Sequence, residues 1–136
     1  MIFVLDTNVI SELMRPSIDK NFSNWVIQTK DKVQFITSVS VFEVEKGIQL
    51  LPDGKRKISL RDTFENVASK FNALPFDNSC AEFAAQFFAI RQSRSFKPTV
   101  EDMMIAGICS TYGAILVTRN VKDFDGLPIE VVNPWG

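Results

Sequence analysis

The sequence predicts an α/β fold in three layers, with helices on both faces of a mainly parallel central sheet. Two observations support this prediction. Short apolar runs alternate with longer segments of helical periodicity along the whole chain. The first run, Ile2–Leu5, is apolar at every position, which is typical of a strand buried on both faces. At 136 residues the chain is expected to form a single domain over residues 1–136.

The first half of the chain predicts two strands and two helices. Asp6, Thr7 and Asn8 supply capping side chains for a short helix that Pro16 ends. The next helix is predicted over residues 19–30, where Phe22 and Trp25 share a face. The apolar run Val33–Thr37 predicts the second strand.

The second half continues this alternation. A helix from about Val41 to Leu51 is closed by the turn residues 52–54, and the next helix has apolar positions that step by 4, 3, 4 and 3. Gly113 is typical of a helix C-terminus. The remaining predicted elements are helices over residues 57–72, 79–94 and 99–112 and strands over residues 74–76, 114–117 and 129–132.

The absence of histidine removes several classes of enzyme. Triads that use histidine, zinc sites with imidazole ligands and ribonucleases with an imidazole acid and base are all excluded. Cys80 and Cys109 are the only thiols, and they do not form a paired metal motif. Catalysis must therefore use carboxylates, hydroxyls, amides, Lys, Arg or a hard metal ion held by oxygen.

Charge and targeting signals set further bounds. The formal net charge is −1 and the sequence pI is about 5.4, which argues against a protein that coats nucleic acid. A nuclease remains possible, because a metal site concentrates acidic residues. No apolar run reaches the roughly 18 residues of a membrane span, and the N-terminus lacks a basic signal region. We expect a cytoplasmic protein without membrane association.

Four carboxylates are expected to meet at one edge of the sheet. Asp6 follows the first strand, and Asp123 follows the strand at 114–117. Glu43 and Asp102 lie near the N-termini of helices that run antiparallel to the strands, which places them at the same edge. Each residue also has a simpler interpretation. Asp6 can cap a helix, Asp123 can be a turn residue, and Ser40–Glu43 and Thr99–Asp102 both fit the capping box.

The set as a whole favours a metal site. Carboxylates that share one edge repel each other, and a cation relieves that repulsion. Mg²⁺ or Mn²⁺ suits oxygen ligands, and such an ion can activate a water and stabilise charge on a phosphate. The chemistry predicted is therefore hydrolysis of a phosphodiester.

Four ordered segments resemble the motifs of PIN-domain ribonucleases, and most closely those of VapC-like toxins. They are Val4–Asn8, Phe42–Gly47, Asp102–Gly107 and Thr118–Phe124, and the resemblance covers almost the whole chain. It implies a PIN-like fold, a homodimer, Mg²⁺- or Mn²⁺-dependent cleavage of RNA, and a cognate antitoxin. The antitoxin is expected to be a small DNA-binding protein whose C-terminal segment binds near the active site.

The resemblance also implies the site residues. Asp6, Glu43 and Asp102 match the three principal metal-binding acids, and Asp123 is the remaining catalytic carboxylate. Asn120 stands where many relatives have Asp. Glu45 is a poor alternative to Glu43, because two helical positions rotate a side chain by about 200°. The side chains expected to orient ligands or water are Thr7, Asn8, Thr118 and Asn120.

Other side chains have open interpretations. The basic cluster at residues 55–61 is interpreted as a solvated helix start rather than an RNA contact. Phe22, Trp25 and the phenylalanines at 83, 87 and 88 suit the core, although part of this surface could serve a subunit or antitoxin groove. The cations considered as contacts to RNA phosphates are Arg91, Arg94, Lys97, Arg119 and Lys122.

Two alternative functions stay open. A phosphatase with an aspartate nucleophile would usually carry a second Asp two residues after the first, where this sequence has Asn8. A non-catalytic dimer could instead act only as the partner of a DNA-binding antitoxin. RNA cleavage that requires Mg²⁺ and is lost in EDTA would separate the nuclease from the non-catalytic partner.

Overall fold

Five parallel strands form the central sheet of the computed structural model, which describes all of residues 1–136. Their order across the sheet is β3-β2-β1-β4-β5. The strands are β1 (Ile2–Leu5), β2 (Val33–Thr37), β3 (Asn72–Leu74), β4 (Ile115–Val117) and β5 (Val131–Val132). Every paired strand is parallel to its neighbour. The predicted parallel sheet is therefore confirmed.

Six helices cover both faces of this sheet. They are α1 (Thr7–Leu13), α2 (Lys20–Gln28), α3 (Ser38–Gln49), α4 (Lys55–Ala68), α5 (Asn78–Ser93) and α6 (Val100–Tyr112), and a 3₁₀ helix follows at Val121–Phe124. Phe3 and Leu5 of β1 join an apolar core with α1 to α4, whereas Val4 joins the core formed with α5 and α6. Alternating side chains of one strand thus feed two cores, which confirms the three-layer prediction. None of the helices combines the length and hydropathy that a bilayer-spanning segment needs.

The start of α3 differs from the prediction. It begins at Ser38 instead of Val41, because Thr37 at the end of β2 caps it directly. The Thr37 hydroxyl accepts a hydrogen bond of 3.0 Å from the Ser40 amide. The predicted capping box is wrong here, since Ser40 lies buried inside the helix. Glu43 consequently lies in the second turn and is not a capping residue.

The end of α4 also differs. The helix ends at Ala68, although the apolar period continues beyond it. The amides of Lys70 and Phe71 bond to the carbonyls of Val67 and Ala68 in a tight turn. This turn starts β3 at Asn72, two residues before the predicted strand. Periodicity alone could not distinguish the helix from the turn that extends its apolar face.

The helix α6 begins and ends where the sequence indicates. Thr99 caps its N-terminus, and Gly113 ends it with a left-handed φ of 61°. Within α6, Gly107 packs closely against α5. A Cβ at Gly107 would clash with the backbone carbonyl oxygen of Cys80. This close approach fixes α6, and with it Asp102, against its neighbouring helix.

Candidate active site at the carboxyl edge of the sheet

The site forms where β1 and β4 end side by side. The sheet order reverses its direction at these two strands, and such a switch point leaves a crevice beyond the carboxyl ends. Asp6 follows β1 and Thr118 follows β4. The Asp6 amide donates to the carbonyl of Val117 at 2.9 Å, which extends the sheet pairing to the site itself. This backbone hydrogen bond fixes the position of Asp6 independently of its side-chain contacts.

The carboxylate of Asp6 is buried and hydrogen-bonded on both oxygens. The Thr7 amide donates to Oδ1 at 2.8 Å, and the Thr118 hydroxyl donates to Oδ2 at 2.7 Å. Asp6 also caps α1, so the simpler interpretation of this residue is correct as far as it goes. Burial nevertheless raises the pKa of Asp6 to about 6, and the charges of Asp102 and Glu43 add to this rise. The hydrogen bonds oppose the increase only in part.

Glu43 reaches the site from α3 through a chain of hydroxyl groups. Thr7 donates to Oε1 of Glu43 at 2.7 Å. The hydroxyls of Thr7 and Ser40 lie 2.8 Å apart, and Ser40 must be the donor because the single Thr7 hydroxyl proton is already used. No motif in the sequence indicates this role of Ser40. The same holds for Ser11, which lies one helical turn after Thr7 and lines the same cleft.

Asp102 enters from the first turn of α6. Its amide donates to the Thr99 hydroxyl at 3.2 Å, so Thr99 supplies the helix cap. Burial raises the pKa of the Asp102 carboxyl, and the nearby charges of Asp123 and Glu43 raise it further. The pKa values of Asp6 and Asp102 are raised for the same reason, because several carboxylates lie together in a partly dehydrated cleft.

These side chains surround one open cleft of about 320 Å³. The predicted principal acids Asp6, Glu43 and Asp102 all line it, and each comes from a different element. Asn8 donates to the Thr118 hydroxyl at 3.1 Å. The full lining comprises Asp6, Thr7, Asn8, Ser11, Glu43, Asp102 and Asn120.

Asp123 lies beside this cleft and not in it. A smaller cleft of about 60 Å³ contains Asp123 together with Lys97, Thr99 and Asp102. Asp102 lines both clefts and so joins them. Asn120 lines the larger cleft, and its backbone amide donates to the Thr118 hydroxyl at 3.1 Å. The predicted four carboxylates thus form a group of three with Asp123 as a neighbour of Asp102.

The donor set suits a hard divalent cation. Carboxylate, hydroxyl and amide oxygens are the ligands preferred by Mg²⁺ and Mn²⁺. No group of three or more acidic or sulfur side chains lies close enough together to hold a metal ion without other ligands. Mg²⁺ usually keeps several waters and binds through one or two carboxylates, so an open cleft of this kind accommodates it.

Glu45 is directed elsewhere, as its helical position predicts. Its carboxylate pairs with Arg61 at 2.9 Å, away from the residues that line the clefts. This pair provides a natural comparison for Glu43, because both glutamates belong to α3.

One candidate phosphate contact needs correction, and the core interpretation of two phenylalanines is confirmed. Arg91 is only 3% exposed, and its guanidinium donates to the carbonyls of Lys122 and Asp125, so it is not available to an RNA phosphate. Phe22 and Phe87 are fully buried in the two cores and cannot line a partner groove. The cations that remain exposed are Arg94, Lys97, Arg119 and Lys122.

The fold and this acidic cleft define a known class of protein. The sequence pattern of the PIN domain matches residues 3–128, and the chain belongs to that family. Its curated relatives include the plasmid stability protein StbB of Pseudomonas syringae pv. tomato, which is 31% identical over 97% of both chains. Two others are the VapC ribonuclease Y4jK of Sinorhizobium fredii, 27% identical over 97% of this chain and 96% of the relative, and the toxin FitB of Neisseria gonorrhoeae, 29% identical over 97% of both.

Solved structures agree with this assignment. FitAcB from Neisseria gonorrhoeae superposes with a TM-score of 0.84 at 30% identity and covers 99% of both chains. VapBC2 from Rickettsia felis, solved with a DNA fragment from its promoter, has a TM-score of 0.84 at 22% identity over 98% of both chains. The second likeness supports the fold alone.

Proposed function

We propose that this protein is a Mg²⁺- or Mn²⁺-dependent endoribonuclease and the toxin of a toxin–antitoxin pair. The observation that carries the proposal is the convergence of Asp6, Glu43 and Asp102 on one cleft, from three separate elements. Family membership and relatives named as a VapC ribonuclease and a toxin support the same function. Residues 1–136 would act as one nuclease domain.

The acids of the cleft would hold the metal through one or two carboxylates together with bound waters. When bound, the ion polarises the phosphodiester and lowers the pKa of a water. Asp6 is suited to this task because Thr7 and Thr118 already fix its carboxylate, so little reorganisation accompanies binding. Burial raises the pKa of Asp6 and of Asp102, and the neighbouring carboxylates add to the rise, so a bound cation would favour the ionised forms and binding should release protons.

Glu43 would act as a ligand or as the acceptor of a proton from water. Its Oε1 is occupied by the Thr7 hydroxyl, and Ser40 in turn donates to Thr7. This relay orients the carboxylate and leaves Oε2 without a hydrogen bond to the protein. Asn8 and Asn120 would orient bound water from the rim of the cleft. Asp123 would complete the site through its position next to Asp102.

Lys97 is the cation that we favour as a phosphate contact. It is exposed and lines the small cleft with Asp102 and Asp123. A cation at this position would neutralise a phosphate next to the reacting one. Arg119 is a second candidate, because it is exposed directly after Thr118 and lies 5.2 Å from the ring of Trp135.

A cognate antitoxin and a second copy of the chain are the proposed protein partners. The name of FitB as a toxin and the structure of FitAB bound to an IR36 DNA fragment, whose matched chain is 29% identical, support a small DNA-binding antitoxin. Phe42 and Val100 are 57% and 53% exposed and line a shared groove of about 290 Å³, which suits a homodimer contact. Two free cysteines and an RNA substrate fit the cytoplasm as the proposed compartment.

Cleavage of total cellular RNA by antitoxin-free protein tests the enzyme. We expect defined cleavage sites with Mg²⁺ or Mn²⁺ and none with EDTA, and sequencing of the fragment ends would map the target. Soluble protein that binds Mn²⁺ but cleaves nothing would favour the non-catalytic partner instead. For the toxin role, expression alone should arrest growth, and the adjacent antitoxin gene should restore it.

A further inference from the structure

Arg91 is a buried cation without an acidic partner. It lies in the last turn of α5, is 3% exposed, and takes part in none of the three ion pairs of the protein. A buried charge is costly unless its hydrogen bonds are satisfied. A site that keeps such a charge needs a reason beyond packing, and the contacts of Arg91 indicate one.

The guanidinium is bound to the turn that carries Asp123. Its Nη2 donates to the carbonyl of Lys122 at 2.9 Å, and its Nη1 donates to the carbonyl of Asp125. These two carbonyls lie on either side of Asp123 and Phe124. Because the guanidinium is a rigid planar fork, two simultaneous bonds fix the orientation of the turn as well as its position.

Phe96 covers one face of the Arg91 guanidinium. Its ring lies 3.7 Å from the guanidinium carbon of Arg91, and its amide donates to the Arg91 carbonyl at 3.2 Å. Ser95 permits this reversal of the chain with a left-handed φ of 64°. Hydrogen bonds that are covered in this way meet less competition from solvent and therefore hold the turn more firmly.

Asp123 has few other restraints. Its side chain is exposed, and its amide bonds only to the carbonyl of Asn120 within the turn. Phe124 and Leu127 anchor the turn on the apolar core. Arg91 adds polar contacts to the two carbonyls that flank Asp123 and Phe124.

We infer that Arg91 is the positioning residue that holds Asp123 against Asp102 at the metal site. This inference rests on the proposed function, because it assigns Asp123 a role in the nuclease. Arg91 itself does not touch the substrate, since its terminal nitrogens are bound to backbone carbonyls. Arg91, Asp123 and Asp102 line the same small cleft, so a shift of the turn would move Asp123 relative to Asp102.

A double-mutant cycle tests the inference. Arg91→Lys keeps the charge but loses the fork, and we expect kcat for RNA cleavage to fall about 10- to 100-fold, as displacements near 1 Å can cost. KM should change by less than about twofold. Asp123→Asn should lower kcat at least as much, and adding Arg91→Lys to it should cause no further loss. Arg61→Lys is the control, because it alters a guanidinium pair whose two residues line neither cleft.

Mn²⁺ affinity, measured by calorimetry, provides a readout that does not depend on cleavage. Arg91→Lys should weaken Mn²⁺ binding in the parent background and leave it unchanged in the Asp123→Asn background. If the parent protein binds Mn²⁺ but cleaves no RNA, the proposed function fails while this cycle still tests Arg91. If Arg91→Lys does not fold, Phe96→Leu exposes the same bonds to water and should give a smaller loss with the same dependence on Asp123. Additive losses in both cycles, or an Arg91→Lys protein equal to the parent, would overturn the inference.

Discussion

Thr118 donates a hydrogen bond of 2.7 Å to Oδ2 of Asp6, across 112 residues of sequence. Both residues are buried, and each directly follows one of the two adjacent strands β1 and β4. The Thr118 hydroxyl also accepts bonds from Asn8 and from the amide of Asn120, both at 3.1 Å. One hydroxyl therefore ties the buried carboxylate to two residues at the rim of the cleft.

Thr118→Val should destabilise the metal-free protein at neutral pH. The substitution preserves shape but removes the hydroxyl that lowers the pKa of Asp6, and its loss leaves the ionised carboxylate less satisfied. We expect a decrease of about 1–3 kcal/mol in the free energy of unfolding at pH 7. Urea denaturation in EDTA measures it. Thr118→Ser keeps the hydroxyl and is the control, and equal stability of the Val and Ser variants would contradict the assigned bond.

The raised pKa of Asp6 predicts a pH-dependent stability in the absence of metal. In the unfolded chain this carboxyl has its ordinary pKa of 3.8, and in the folded protein its pKa is about 6. Between these two pKa values the folded state binds more protons than the unfolded state. The contribution of Asp6 to the free energy of unfolding is therefore greatest below pH 4 and is lost as the pH rises through 6. The difference between the two pKa values corresponds to a change of about 3 kcal/mol in the free energy of unfolding.

The Asp6→Asn variant isolates this contribution. Urea denaturation of the parent and of Asp6→Asn in EDTA, at several values between pH 4 and pH 7, gives their difference in stability. We expect the parent to lose stability relative to the variant as the pH increases. Parallel curves for the two proteins would mean that Asp6 ionises normally in the fold.

Replacement by Gln should lower kcat at Glu43 but not at Glu45. Glu43→Gln removes a proposed charged ligand of the metal, and we expect kcat to fall by on the order of 100-fold or more with little change in fold. Glu45→Gln only disrupts a half-exposed pair with Arg61, which should cost less than about 1 kcal/mol and leave kcat unchanged. Cleavage of a defined RNA with Mn²⁺ measures both. An inactive Glu45→Gln protein with an active Glu43→Gln protein would reverse the assignment.

The sequence predicted the fold well because the strand signals were strong. Ile2–Leu5 and Val33–Thr37 are the strands that the apolar runs indicate, and Thr99 and Gly113 bound α6 as capping residues should. The errors fell at helix ends. Thr37 serves both as a strand residue and as a cap, and no local pattern distinguishes that double role from a strand followed by a loop.

The site was predictable only in part, for a different reason. Topology placed Asp6, Glu43 and Asp102 at one edge, since it depends on element order alone. The relay from Ser40 through Thr7 to Glu43 depends on how α1 and α3 approach each other, which the sequence does not specify. Arg91 has the same explanation. The charge of Arg91 predicts a side chain at the surface. The carbonyl groups that bind it in the interior lie more than thirty residues further along the chain, so no local pattern reveals them.

Neutralising Asp102 separates a metal site from a set of helix caps without any substrate. The hydroxyl of Thr99 caps α6, so Asp102→Asn does not remove that capping bond. It does remove charge that repels Asp123 and Glu43, and burial already raises the pKa of this carboxyl. The melting temperature in EDTA should therefore stay the same or rise.

Mg²⁺ or Mn²⁺ should stabilise the parent in proportion to the logarithm of its concentration above the dissociation constant. Asp102→Asn should lose most of that gain, because one of the cleft's three carboxylates is gone. Thermal unfolding of both proteins, with EDTA and with each metal, measures both effects. Thr99→Ala is the matched control for capping: it should lower the melting temperature, by about 1 kcal/mol of stability, while the metal response persists. A marked fall for Asp102→Asn in EDTA, together with an undiminished metal response, would mean that this carboxylate stabilises the helix and binds no cation.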